Sequence, residues 1–357
     1  MTSKSIARIL LCAMAAMAAG CGGEGSNEVP APGAGGSMST RTPGVRRQVM
    51  FVGFDISPRL IEAIEAKKLH GTVVQDPYRM GQESVRTLAA HLEKQPVEKK
   101  ISTGETLVTP ENLGDAAIRK LINPPKAENT EDTSSSAAKT KKYRFMVIPK
   151  GTTHEHWKAI HAGAKKAAED LGSVEILWQG PQKEDERSEQ IKLVETAIAV
   201  GVDGIVIAPL DAKALVEPIE QAIAKGIPVV VMDSGLESTK TVSYVATDNY
   251  RGGVLAAQRL GGLLNGKGRI ILLRYAEGSE STMQREKGFT DTMKKEFPEI
   301  IYLSDNQYAG PTSDSAQRKA ETLITQFREQ VDGVFCPNES STLGMLRVLD
   351  GAGLLPE

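Results

Sequence analysis

Between Phe145 and Phe335 the sequence alternates short apolar runs with longer segments that are apolar on one face only, and this alternation constrains the fold most tightly. Residues 145–148, 174–178, 204–208 and 227–232 are, Glu175 apart, without charged residues and show no period of two. Strands of that kind are buried on both faces, as in a parallel sheet covered by helices. The intervening segments 156–171, 189–200 and 214–225 have helical spacing; in the first, Ile160, Ala164, Ala167 and Leu171 share a face. A strand at 242–245 leads to a helix at 251–264. Strands at 269–273, 300–303 and 334–335, with helices at 281–296 and 315–330, form a second series. The expected fold class is α/β, with two doubly wound parallel-sheet lobes, and 357 residues are enough for two domains.

The second series lacks its last strand. After Val334 and Phe335 come Cys336-Pro337-Asn338, a helical stretch at 342–349, and the glycines Gly351 and Gly353. The next unit of an α/β series is a strand. The one that fits is 48–54, which runs into Val52-Gly53-Phe54-Asp55 near the other end of the chain. With its ends joined, the sequence is an unbroken strand and helix series, so a circular permutation is expected, with 48–54 beside Val334 and Phe335. Residues 123–142 carry Pro124-Pro125, a polar run and Ser134-Ser135-Ser136, the composition of a flexible linker. Domain termini often lie close together, so such a linker is long enough to join the ancestral ends. Residues 143–247 and 76–104 are thus assigned to the first lobe, and 248–357, 48–75 and 105–122 to the second. Two independent domains on a linker are the competing layout, which requires 48–122 to build a core from few strands.

The first 21 residues read as an export signal. Lys4 and Arg8 precede an apolar run at 9–19, short for a bilayer span, and Ala18-Ala19-Gly20 is a small-residue cleavage site. Ala18-Ala19-Gly20-Cys21 resembles a bacterial lipobox, which implies lipidation of Cys21 and a membrane anchor. Residues 22–47, rich in Gly, Pro and Ser up to Gly44, read as a flexible tether. Cys12 leaves with the signal and Cys21 is committed to lipid, so Cys336 has no partner, and a small buried packing residue is expected there. The net charge of -2 gives no attraction to nucleic acid.

Several short motifs fall in one order once the ends are joined: 226–233 (Gly-Ile-Pro-Val-Val-Val-Met-Asp), 245–249 (Val-Ala-Thr-Asp-Asn), 285–289 (Arg-Glu-Lys-Gly-Phe), 335–338, 52–55 and 73–75. In that order the chain from Phe145 onward, followed by 48 to about 112, resembles the type I periplasmic binding proteins, in particular the ribose-binding-like sugar receptors of ABC transporters. A sugar offers hydroxyls and an apolar C–H face. Carboxylates accept its hydrogen bonds, Arg donates in a fork, amides do both, and aromatic rings stack. Asp233, Arg285, Asn338, Asp55 and Gln75 supply the polar set at successive element ends, and strand carboxyl ends converge on one crevice in such sheets.

The resemblance adds Lys150, His154, His156 and Trp157 after the first strand, with Trp157 as the stacking ring. Lys150 stands where ribose receptors have a small hydroxyl residue, Ser234 where an arginine follows the aspartate, and Tyr308 replaces an aromatic on the second lobe. The implied partners are a monosaccharide and a membrane permease, with the receptor a monomer that closes around hinges at 246–249, 75–76 and 103–106. Each polar residue also has a structural role open to it: Asp233 and Asp55 as turn residues, Asn338 and Gln75 as caps, Trp157 as a core anchor, Lys150 as a surface lysine. His154 and His156 have no Cys, Asp or Glu at metal-ligand spacing, so no metal or other cofactor is expected.

No GxSxG elbow, glycine-rich phosphate loop before a helix or HExxH motif is present, so no enzyme is expected. Asp55 and Asp233 resemble a glycosidase pair, but Arg285 beside them lowers rather than raises a carboxyl pKa. Two other functions use the same lobes. A sensor would pass ligand binding to a membrane kinase, and a sugar-responsive repressor would need a DNA-binding helix pair where the export signal stands.

Overall fold

The computed structural model describes residues 48–123 and 143–357. The expected export signal, lipidated Cys21, tether and nearly all of the linker lie outside them. The chain opens with β1 (Met50–Phe54), α1 (Pro58–Glu65), β2 (Gly71–Gln75), α2 (Pro77–Leu92), β3 (Lys100–Ser102), β4 (Glu105–Val108) and α3 (Ala116–Ile122). The next series is β5 (Tyr143–Ile148), α4 (Glu155–Leu171), β6 (Val174–Trp178), α5 (Arg187–Val200), β7 (Gly204–Ile207), α6 (Val216–Ala224), β8 (Val229–Met232) and β9 (Ser243–Ala246). The remainder is α7 (Asn249–Leu263), β10 (Lys267–Arg274), α8 (Glu280–Glu296), β11 (Glu299–Tyr308), α9 (Ser313–Phe327), β12 (Gly333–Phe335) and α10 (Glu339–Gly351).

Two six-stranded sheets result, ordered β3-β9-β8-β7-β5-β6 and β11-β10-β12-β1-β2-β4. All pairings are parallel except β2 with β4. β1 lies between β12 and β2, with Phe51 opposite Val334 and Val52 opposite Phe335. This strand is fully buried along Phe51–Phe54, and one of its two neighbours, β12, is separated from it by most of the sequence. The chain passes between the sheets after Gln75, between β3 and β4, and after Ala246.

Each sheet is covered on both faces. In the first lobe α2 and α4 pack over Phe145, Val147, Val206 and Val230, while α5 and α6 cover Met146, Ile148, Ile205 and Ile207. In the second, α7 and α8 cover Val52, Phe54, Val73 and Phe335, and α1, α3, α9 and α10 cover Phe51, Val74 and Val334. Cys336 is buried in that last layer, and burial raises its thiol well above the ordinary value, which makes it an inert packing group.

The helix pairs nearest the cleft cross at glycines. A Cβ on Gly163 would stand 1.9 Å from the Tyr78 carbonyl oxygen, and one on Gly253 would stand 2.0 Å from that of Arg285. Close crossing sets where the first turns of α4 and α8 lie. Some element ends differ from the sequence reading: α10 starts at Glu339 rather than 342 because the Asn338 side chain accepts from Ser341 N and caps it. β11 runs on to Tyr308, since shifts in its register with β10 let the pairing continue past Leu303.

Candidate functional site

The carboxyl ends of the two sheets face each other, and side chains from both enclose one cavity. Lys150 follows β5, His154 and His156-Trp157 begin α4, Glu184 follows β6 and Asp233 follows β8. From the other lobe come Asp55 after β1, Gln75 at the end of β2, Tyr275 after β10, Ser281, Thr282 and Arg285 on α8, and Asn338-Glu339 at α10. Asp55 and Asp233 occupy matching places, each just beyond a central strand, and each has left-handed backbone, with φ of 67° and 61°. That region is costly for a non-glycine residue and is tolerated best by Asn and Asp. Such strain concentrates at functional positions.

Asp233 is buried and hydrogen-bonds His156, Oδ1 to Nε2 at 2.8 Å, while Lys150 Nζ stands 3.7 Å from Oδ2. Burial acts to raise its pKa, but the His156 hydrogen bond and the Lys150 and Arg285 charges outweigh it and hold it at about 2. The same contact raises His156 despite its burial. In the second lobe Gln75 donates to Asp55 Oδ1 at 2.6 Å, and Arg285 Nη1 stands 3.6 Å from Oδ2. Arg285 is fixed by Asn249 Oδ1 at 2.9 Å, the Pro337 carbonyl at 3.0 Å and the Phe54 ring, 3.8 Å from its guanidinium carbon. Such a guanidinium is positioned before any ligand arrives.

A second buried carboxylate, Glu184, carries no motif that marked it in the sequence. It accepts from Trp157 Nε1 at 2.7 Å, pairs with His154 Nδ1 at 2.9 Å and receives the Tyr275 hydroxyl from across the cavity. Burial works against its charge, yet His154 and Lys150 keep its pKa at about 2; His154 correspondingly rises to about 9 against its own desolvation. Among the described residues no three or more His, Cys, Asp or Glu side chains are grouped as metal ligands. The two histidines do have carboxylate companions, Glu184 and Asp233, which sequence spacing did not reveal because separate strands deliver them.

Not every expected residue lines the cavity. Tyr308 does not: its ring packs under the Arg274 guanidinium at 4.8 Å, and Tyr275, one residue beyond β10, supplies the second-lobe aromatic. Ser234 is fully buried and its Oγ accepts from Ser281 N of the other lobe at 3.2 Å. Lys150 is buried too, and it donates to Ser279 and Ser281 at 3.1 and 3.3 Å. Asn338 reaches the cavity wall, but its amide is occupied by Ser340 and Ser341 at the head of α10. Further contacts between the lobes run from Gly235 N to Glu280 at 3.0 Å and from Ala212 N to the Gly278 carbonyl at 3.0 Å.

A family model described as "Periplasmic binding protein domain" matches residues 145–357. A xylitol-binding protein of Mycolicibacterium smegmatis is 30% identical over 51% of this chain and 51% of its own, so the chain spans about half the length of that relative. A crystal structure of a periplasmic component of an ABC-type sugar transport system from Hahella chejuensis is 32% identical, covering 59% of this chain and 76% of that one with a TM-score of 0.56. The fructose-binding periplasmic domain of a hybrid two-component system is 25% identical, covering 59% and 68%, with a TM-score of 0.56.

Proposed function

The chain belongs to the periplasmic binding protein domain family, and from that premise we propose that it is an exported, lipid-anchored receptor that binds a monosaccharide or related polyol between its lobes. The observation that carries the reading is the convergence of Asp55, Gln75 and Arg285 from one lobe with His156, Trp157 and Asp233 from the other on one cavity. Carboxylates and an amide accept hydroxyl hydrogen bonds, the guanidinium donates, and the indole offers a flat face to C–H groups. Both lobes contribute, so a bound sugar would favour the closed arrangement by its differential affinity for it. Closure would turn on the three strand-to-strand and strand-to-helix passages between the sheets. The closed form would then deliver its sugar to an ABC transporter permease.

The chain order is part of the proposal. The family match begins at Phe145, while β1 and β2 complete the second sheet and β3 and α2 the first. That arrangement supports a circular permutation in which 48–123 is the displaced last portion of the fold, joined to Tyr143 by the linker. A second reading has an observation in its favour: one structural relative is a fructose-binding periplasmic domain of a hybrid two-component system. The same lobes would then report sugar to a membrane kinase instead of feeding a permease.

The test is a thermal-shift panel of pentoses, hexoses and their alditols. A ligand held only by the folded state adds about 2.7 kcal/mol at a concentration one hundred times its Kd. One or a few sugars should raise the melting temperature by several degrees, and Arg285→Ala should abolish the rise. A flat response across the panel would falsify the sugar reading.

A further inference from the structure

Among the described residues, Glu339 is a cavity carboxylate with a buried oxygen that has no hydrogen-bond partner. It is the first residue of α10, 7% exposed, and its Oε2 is buried without a partner among the described residues. The other three acidic groups are engaged: Asp233 by His156, Glu184 by three donors, and Asp55 by Gln75. A buried polar oxygen left unpaired costs about 1–3 kcal/mol. Another unpaired atom of the same cavity's lining residues is also an acceptor, Gln75 Oε1. The backbone holds Glu339 in place from both sides, since its own N–H donates to Asp55 Oδ2 at 3.2 Å while Asn338 caps the helix. Its place in the first turn of α10 suits a negative charge, but that role leaves Oε2 without a donor.

We propose that Glu339 is a ligand-contacting residue whose free oxygen accepts a hydrogen bond from a ligand hydroxyl, with Gln75 Oε1 taking a second donor beside it. This rests on the receptor reading above and extends it: the ligand presents two donor groups to the α10 and β2 wall, as a polyhydroxylated molecule does. The groups facing Glu339 are Asp55 from β1, His154 and His156 from α4, Glu184 from the loop after β6, and Arg285 on α8. Burial chiefly raises the Glu339 carboxyl, His154 and His156 oppose it, Asp55 and Glu184 add to it, and the balance lies at about 7. Accepting from a hydroxyl favours the ionised form, so affinity increases as pH rises through that value.

Calorimetric titration of the purified protein with xylitol, D-ribose, D-arabinose and D-fructose at pH 6, 7 and 8 tests this, alongside Glu339→Gln and Glu339→Ala. Wild type should bind its best probe about three- to tenfold more tightly at pH 8 than at pH 6. Glu339→Gln should bind with no such pH dependence, and Glu339→Ala should bind at least about tenfold more weakly with an unchanged circular dichroism spectrum. Glu339→Ala binding within about twofold of wild type, with the pH profile intact, overturns the inference and leaves the receptor reading standing. Absence of wild-type binding to every probe overturns the receptor reading, and the Glu339 contact with it.

Discussion

Asp233 is the most consequential single residue of the first lobe because three cations and a strained backbone all converge on it. Truncating one partner of a buried charged pair costs about 2–5 kcal/mol. Asp233→Ala should therefore weaken sugar binding by at least about thirtyfold, read by calorimetry. The His154–Glu184 pair makes a separate prediction about pH. His154 is raised from 6.5 to about 9, so the stability it contributes is complete below 6.5 and is lost as pH rises through 9. The Glu184 carboxyl lies below its ordinary value, so its contribution is present above about 4.5 and is lost as pH falls towards 2. The melting temperature without sugar should decline between pH 7 and 10, and His154→Gln should flatten that decline; an unchanged slope contradicts the pairing. Asp55, Asp233, Arg285 and Gln75 were legible in the sequence because each follows a strand or sits in a short motif. Glu184 and Glu339 were not, since nothing local distinguishes a loop glutamate that three donors surround, or a helix-start glutamate buried without a partner, from one in solvent. Tyr308, expected as the second-lobe aromatic, is carried by β11 past the cavity to Arg274.

Helix placement adds His156, Trp157 and Arg285 to the groups that strand ends deliver. α4 and α8 each deliver their site residues from the first turn or two, and each is pressed against a partner helix at a glycine. Gly253→Ala would drive a methyl into the Arg285 backbone and separate α7 from α8. Overpacking of that kind costs about 1–3 kcal/mol. Urea denaturation should show the loss, and sugar affinity should fall as well, because the displaced backbone carries Arg285 itself. A variant with normal affinity and stability would show that the crossing does not position the site. Unbroken apolar runs made most strands readable, as Ile205–Ile207 and Val229–Met232 illustrate. Strand β4 was unreadable as such: its Glu105-Thr106-Leu107-Val108 is short, at the sheet edge and antiparallel. It carries no alternation long enough to register.

At the scale of the molecule, the two sheets are completed by a segment that precedes them in sequence. β1 is a central strand of the second sheet, so 48–123 cannot be an appended domain: removing it would take β1, β2 and β4 and leave that sheet with β11, β10 and β12 alone. A chain rearranged so that residue 143 comes first and Glu357 is followed directly by residue 48, ending at 123, should fold to the same secondary structure and bind the same sugar. Failure of that chain to fold, with the original intact, would count against the permutation. The central claim is that a sugar is held between the lobes beside Trp157, and the chain has two tryptophans, the other being Trp178 on β6. With Trp178→Phe in place, the remaining fluorescence reports the cavity alone. Titration with the sugar that gives the largest thermal shift should change that fluorescence saturably, and adding Asp233→Ala should remove the change. Emission that stays constant through saturation, or a response that survives Asp233→Ala unaltered, would contradict the account.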